Sequence, residues 1–149
     1  LVALTGFSLA ATTLATVVSL VVAPLAAGAT SVDTSAWGTD VLPIVAEAWF
    51  NLTIVALAWG SIGFVVASVT RSAIAAIAGG IGYLMVVEGM LTAMAEDLTT
   101  YLPGSVLDAI IEGGNSSIGY DVALGLAVAV IAGCIGIATV VFGRRDVTS

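Results

Sequence analysis

The chain has 149 residues, of which 60% are hydrophobic and only 9% charged, with a mean hydropathy of +1.19 and a formal net charge of −7. A soluble domain carries roughly 45–50% apolar and about 25% charged residues, so lipid rather than water has to be the solvent for most of this surface. With no histidine, no lysine and Cys134 as the only cysteine, the sequence excludes an internal disulfide, a His/Cys zinc site, a lysine-bearing phosphate loop and Ser/His hydrolysis, and its acidic balance speaks against nucleic-acid binding.

A spanning helix needs about 20 apolar residues. The first such segment, 2–27, contains no charge, exceeds the length of a signal-peptide core and has no basic region ahead of it. Residues 28–43 are rich in Thr, Ser, Gly and Asp, carry Trp37, and read as a polar loop near the interface. A second span is expected over 44–70 and a third over 73–94. Arg71 and Ser72 form the tight turn between them, because the apolar stretch around Arg71 is too long for one helix.

Residues 95–119 are polar again. Within them Pro103-Gly104-Ser105 opens a short amphipathic helix carrying Val106, Leu107, Ile110 and Ile111, and Gly113-Gly114 stops it. Ser105 with Asp108 is expected to form its capping box, and Asp108 and Glu112 share its polar face. This helix is expected to lie in the interface or dip into the membrane. The fourth span covers 120–142. The fold class is therefore all-α: a polytopic membrane protein of about four transmembrane helices with a short extracytoplasmic interfacial or re-entrant helix.

Basic residues collect on the cytoplasmic flanks of spans. If the four helices alternate, Arg71, Arg144 and Arg145 all fall on one side. Asp33, Asp40, Glu96, Asp97, Asp108 and Glu112 fall on the other. Both termini are accordingly assigned to the cytoplasm and the protein to the cell membrane. The arginines fix topology or contact a cytoplasmic partner.

Glu88 is the one carboxylate well inside a span. An ionisable group there costs about 2.5–3.5 kcal/mol on insertion scales and normally faces a cavity or a partner. It is the candidate for lining a substrate path or sensing protons; the structural alternative is a residue near the outer interface that reaches the headgroups or hydrogen-bonds a neighbouring helix. Thr5, Ser8, Thr12, Thr16 and Ser19 share one face of the first span, where helix packing through Thr12 and Thr16 is expected over a hydrophilic channel wall. Gly125, Ala129 and Gly133 form a small-residue ridge on the last span, and Ala75 with Gly79 one on the third, each suited to close helix approach or dimerisation. The Asn51-Leu52-Thr53 sequon falls inside a span and carries no weight as a glycosylation site. Asp121, at a helix end, makes no aspartyl-protease pair.

Three local features resemble the C-terminal half of type-2 ATP-binding-cassette (ABC) exporter permeases. A Phe-led span from Phe50 ends in Val69-Thr70-Arg71-Ser72 and turns into the Gly-rich run Gly79-Gly80-Ile81-Gly82. Tyr101-Leu102-Pro103 precedes the last helix, and Phe142-Gly143-Arg144-Arg145-Asp146-Val147 closes it. The likeness covers nearly the whole chain, taken as helices three to six of a six-helix subunit. It implies the C-terminal part of a longer permease, whose ATPase-docking coupling helix lies ahead of the first span; the absence of lysine beside three arginines points separately, by composition, to a prokaryotic source. The likeness also implies pairing with a second permease subunit and with a cytoplasmic ATP-binding-cassette ATPase, and export of an unidentified substrate. On that reading the chain is not itself an enzyme and needs no cofactor, and the helix after Pro103 corresponds to the family's extracytoplasmic re-entrant element. The competing readings are a non-transporting four-helix scaffold or assembly protein, and a small ion-coupled transporter that uses Glu88.

Overall fold

The computed structural model describes residues 2–30, 41–94 and 99–143. The fold is all-α. Four helices are long and apolar enough to cross a membrane: α1 (Val2–Thr30), α2 (Val41–Thr70), α3 (Ala73–Met94) and, after the short helix α4 (Pro103–Ile111), α5 (Tyr120–Gly143). The first two spans run three residues further toward their connection than the apolar pattern suggests. Pro43 is accommodated because it lies in the first turn of α2, where no backbone N–H is needed from it. Asp33, Trp37, Asp40, Glu96, Asp97, Arg144 and Arg145 lie outside the described residues.

Leu4 of α1 lies against Gly60, while Thr12 and Thr13 lie against Thr53 and Trp49, so α1 and α2 run antiparallel. Arg71 and Ser72 reverse the chain between α2 and α3. Arg71 adopts a left-handed conformation (φ 56°), and the Ser72 hydroxyl accepts from Ala75 N–H at 3.2 Å to start α3. Asn51 meets Tyr120, which puts the starts of α2 and α5 at one end of the bundle and Arg71 at the other. The four spans therefore alternate direction. Asp108, Glu112 and Asp121 are all exposed.

The tightest packing surrounds α4. Val106, Leu107, Ala109 and Ile110 are buried against Ala58 of α2, Ala123 and Ala127 of α5, and Ile118. The facing positions on the long helices are alanines, which let the short helix sit close to both backbones. Pro103 approaches Ile62 and Val130, whereas Ile110 lies beside Asn51 and near Tyr120. At 1.5 Å per residue, Val130 is about 15 Å along α5 from Tyr120. The N-terminus of α4 thus sits deep in the bundle and its C-terminus toward the N-terminal ends of α2 and α5.

Outside this core the chain shows mostly apolar surface: Phe7 is 73% exposed and Ile74 80%. In lipid such a surface needs no cover, and helix association rests on packing and interhelical hydrogen bonds. Thr12 and Thr53 share a hydroxyl–hydroxyl bond of 3.0 Å, and Trp49 Nε1 donates to Thr13 Oγ1 at 3.0 Å. Thr16 instead bonds Thr12 O in its own helix, and Thr5 and Ser19 are exposed.

Asn51 joins three elements. Its Nδ2 donates to Ile110 O at 2.9 Å, and its Oδ1 accepts from the Tyr120 hydroxyl at 2.7 Å. Replacing Asn51 by Leu should destabilise the bundle by about 1–2 kcal/mol, and Tyr120→Phe by about 0.5 kcal/mol. SDS-driven unfolding in mixed micelles measures both. The double variant is expected to lose less than the sum, since the two substitutions remove a shared bond; strict additivity would refute the network.

Candidate functional site

α3 is not α-helical throughout. Residues Tyr83–Glu88 form a π-helical segment, flanked by Gly82 and Gly89, with Gly89 N–H reaching Leu84 O five residues back. Single π turns are uncommon and frequently mark functional sites. The wider turn changes the phase of the helix at its last residue, Glu88. That side chain is only 6% exposed.

The Glu88 carboxylate lies on the N-terminus of α4. Its Oε1 accepts from Ser105 N–H at 2.9 Å and its Oε2 from Gly104 N–H at 3.2 Å. A helix begins with orphan backbone donors. Here Pro103 has none, Gly104 and Ser105 give theirs to Glu88, and Val106 N–H bonds Leu102 O at 2.9 Å. The first turn is thereby fully satisfied. The positive end of the helix dipole and the two N–H donors face the carboxylate oxygens, with no cation nearby among the described residues. Arg71 is the single basic residue among the described ones, and it lies roughly 25 Å away along α3 at 1.5 Å per residue.

This geometry corrects the expected capping box. The N-cap residue is Leu102, extended and without a side-chain bond, so Ser105 sits inside the helix and Asp108 is exposed on the polar face. Glu88 supplies the cap from another helix. The opposite end matches the expected stop: Gly113 (φ 75°) and Gly114 (φ 102°) take positive φ, and Gly114 N–H closes on Ala109 O at 2.7 Å. Asn115 Oδ1 then accepts from Ser117 and Ile118 N–H, turning the chain toward α5.

Beside this contact runs an apolar groove of about 960 Å³ between the second half of α2 and α3. Leu4 edges it, while Tyr83, Leu84, Pro103 and Val130 are among the residues lining it, bringing it to the first turn of α4. Glu88 is not part of its lining. The carboxylate points to α4 rather than into the open space.

Of the residues singled out from sequence, Thr12 makes an interhelical bond and Glu88 links two elements. Gly125, Ala129 and Gly133 are exposed, on a face of α5 away from the buried Ala123 and Ala127, and do not pack within this chain. Arg71 is exposed at the α2–α3 turn. Sequence reasoning missed Asn51, Tyr120 and Gly104. Asn51 had a signal: it is an amide within an apolar span, where unpaired polar groups are costly. Among the described residues no three acidic or cysteine side chains come close enough to hold a metal ion. No family model, no curated protein and no solved structure matches this chain.

Gly104 gives a sharp test of the contact. A Cβ built there would stand 2.5 Å from both Glu88 carboxylate oxygens, so the carboxylate would have to withdraw from its two N–H partners. In an ordinary helix Gly→Ala stabilises by up to about 1 kcal/mol. Gly104→Ala is expected to destabilise instead, by about 1–2 kcal/mol in SDS titrations. A stabilised variant would show that the contact contributes nothing.

Proposed function

We propose that the chain is a membrane-embedded part of an ABC exporter permease, which moves an unidentified substrate with energy from a separate ATPase subunit. The observation that carries this reading is the position of α4. A short helix between the last two spans is folded into the bundle with its N-terminus deep between them, as the resemblance to type-2 permeases implies for a re-entrant element. The two-residue Arg71–Ser72 reversal between adjacent spans supports it further. The lack of lysine and histidine throughout the sequence fits a division of labour in which ATP hydrolysis belongs to a partner.

In this reading the protein resides in the cell membrane with the Arg71 turn and both termini facing the cytoplasm, and it pairs with a second permease half. The engagement of Glu88 with α4 favours a holding role over a place on the substrate's route. Four helices of this kind also suit a scaffold, so the test must look for the partner.

The full-length gene product, tagged at its C-terminus in its own host and gently solubilised, should co-purify with a stoichiometric ATPase bearing a phosphate loop. Its ATPase activity should rise on reconstitution. An intact, monodisperse protein with no ATPase would sink the exporter reading and leave the scaffold and the small ion-coupled transporter. Orientation is checked separately in a Cys134→Ala background. Ser116→Cys should react with a membrane-impermeant maleimide on whole cells, and Arg71→Cys should react only after lysis. The reverse pattern would invert the topology.

A further inference from the structure

The groove of about 960 Å³ between α2 and α3 is walled almost wholly by hydrocarbon. Tyr83 carries the one hydroxyl and Trp59 the one indole N–H of its lining; every other lining residue is aliphatic, phenylalanine, proline or glycine. We propose that this groove is the binding site of one anionic phospholipid, whose chains lie between the two helices and whose phosphate rests on Arg71. The proposal goes beyond the exporter reading and does not depend on it.

Depth selects the kind of occupant. Along α3 the lining runs from Ala73, just after the Arg71 turn, to Leu84, and along α2 from Ala67 back to Trp59. At 1.5 Å per residue the α3 wall is about 16 Å long. Pro103 of α4 and Val130 of α5 stand at the inner end. A bilayer's hydrocarbon core is about 30 Å thick, so the groove spans one leaflet, from the surface at the Arg71 turn to about the midplane. A partner's spanning helix needs the whole thickness, whereas the tails of a lipid need half of it. The volume agrees, lying at the upper end of cavities that hold small-molecule ligands.

Charge selects the headgroup. Arg71 is exposed in the turn that joins the two walls, at the surface end of the groove. Among the described residues no carboxylate stands at that end. Glu47, Asp108, Glu112 and Asp121 lie toward the opposite end of the bundle, and Glu88 is held by α4. Arg144, Arg145 and Asp146 lie outside the described residues. A guanidinium matches a phosphate in shape and charge, and basic residues beside spans recruit anionic headgroups. A zwitterionic lipid brings its own cation and gains less from Arg71. Glycines keep the slot wide: Gly63 and Gly80 line it, and a Cβ at either would meet nothing within 4 Å.

Intact-mass measurement of the full-length protein, gently extracted from vesicles of equal phosphatidylglycerol and phosphatidylcholine, reads the site. The unaltered protein should retain one phosphatidylglycerol per chain, preferred about fivefold over phosphatidylcholine, the factor a single basic residue at a membrane surface supplies. Arg71→Gln should bring the two lipids to parity. Gly63→Leu combined with Gly80→Leu should fill the groove and leave the chain without a retained lipid. Both sites have open space at the Cβ and both changes replace a helical glycine, so the bundle should hold. Lipid-free unaltered protein, whether alone or with a second copy seated in the groove, overturns the proposal, and so does retention without headgroup preference. A preference that survives Arg71→Gln, or retention that survives the filled groove, overturns it too, because the lipid would then sit elsewhere. Should the double variant fail to fold, Gly80→Leu alone takes its place and should lower retention; undiminished retention again refutes the site.

Discussion

A short helix whose first turn lies deep inside an apolar bundle has the same difficulty as any buried backbone: its orphan polar groups need partners within the protein. Everything specific about this protein follows from how that is met. α3 sends Glu88 to the first turn of α4, and α2 sends Asn51 to the Ile110 carbonyl in its last turn. The two side chains are the polar fittings between which α4 is hung. Alanines on α2 and α5 then let Val106, Leu107 and Ile110 close the core around it. No buried side-chain nitrogen or oxygen among the described residues is left without a partner.

The long helices have a different relation to one another. α2 is the hub, touching α1, α3, α4 and α5, while α3 is joined to the rest chiefly by its turn into α2 and by Glu88. The groove between α2 and α3 is open in this arrangement because small residues such as Gly63, Ala76 and Gly80 line it. A membrane bundle held by a few interhelical bonds of modest strength can keep such a gap, since lipid tails fill it at no hydrophobic cost. Stability and openness are thus set by different parts of the molecule.

The architecture was legible in the sequence because its signal is long-range and coarse. Apolar runs of spanning length, the Arg71–Ser72 interruption and the Gly113–Gly114 stop each act through local backbone physics. The site was legible only in part. Glu88 stood out as an ionisable residue in a span, yet its partners are backbone amides, and backbone donors leave no mark in a sequence. The π segment was equally hidden, since Tyr83–Glu88 has no composition that separates it from ordinary helix. Ser105 and Asp108 satisfied the pattern of a capping box one turn too late; a tertiary cap made the local one unnecessary. On α5 the ridge of Gly125, Ala129 and Gly133 was visible, but small residues occur on two of its faces. Only the packing of α4 shows that Ala123 and Ala127 are the pair used within this chain.

The sixteen-residue separation between Glu88 and Gly104 also has a meaning for biosynthesis. A ribosome adds about 5–20 residues per second, so the carboxylate is made about one to three seconds before the amides that will receive it. The acidic group therefore emerges ahead of its partners, and the contact that buries it can form only once the first turn of α4 has followed.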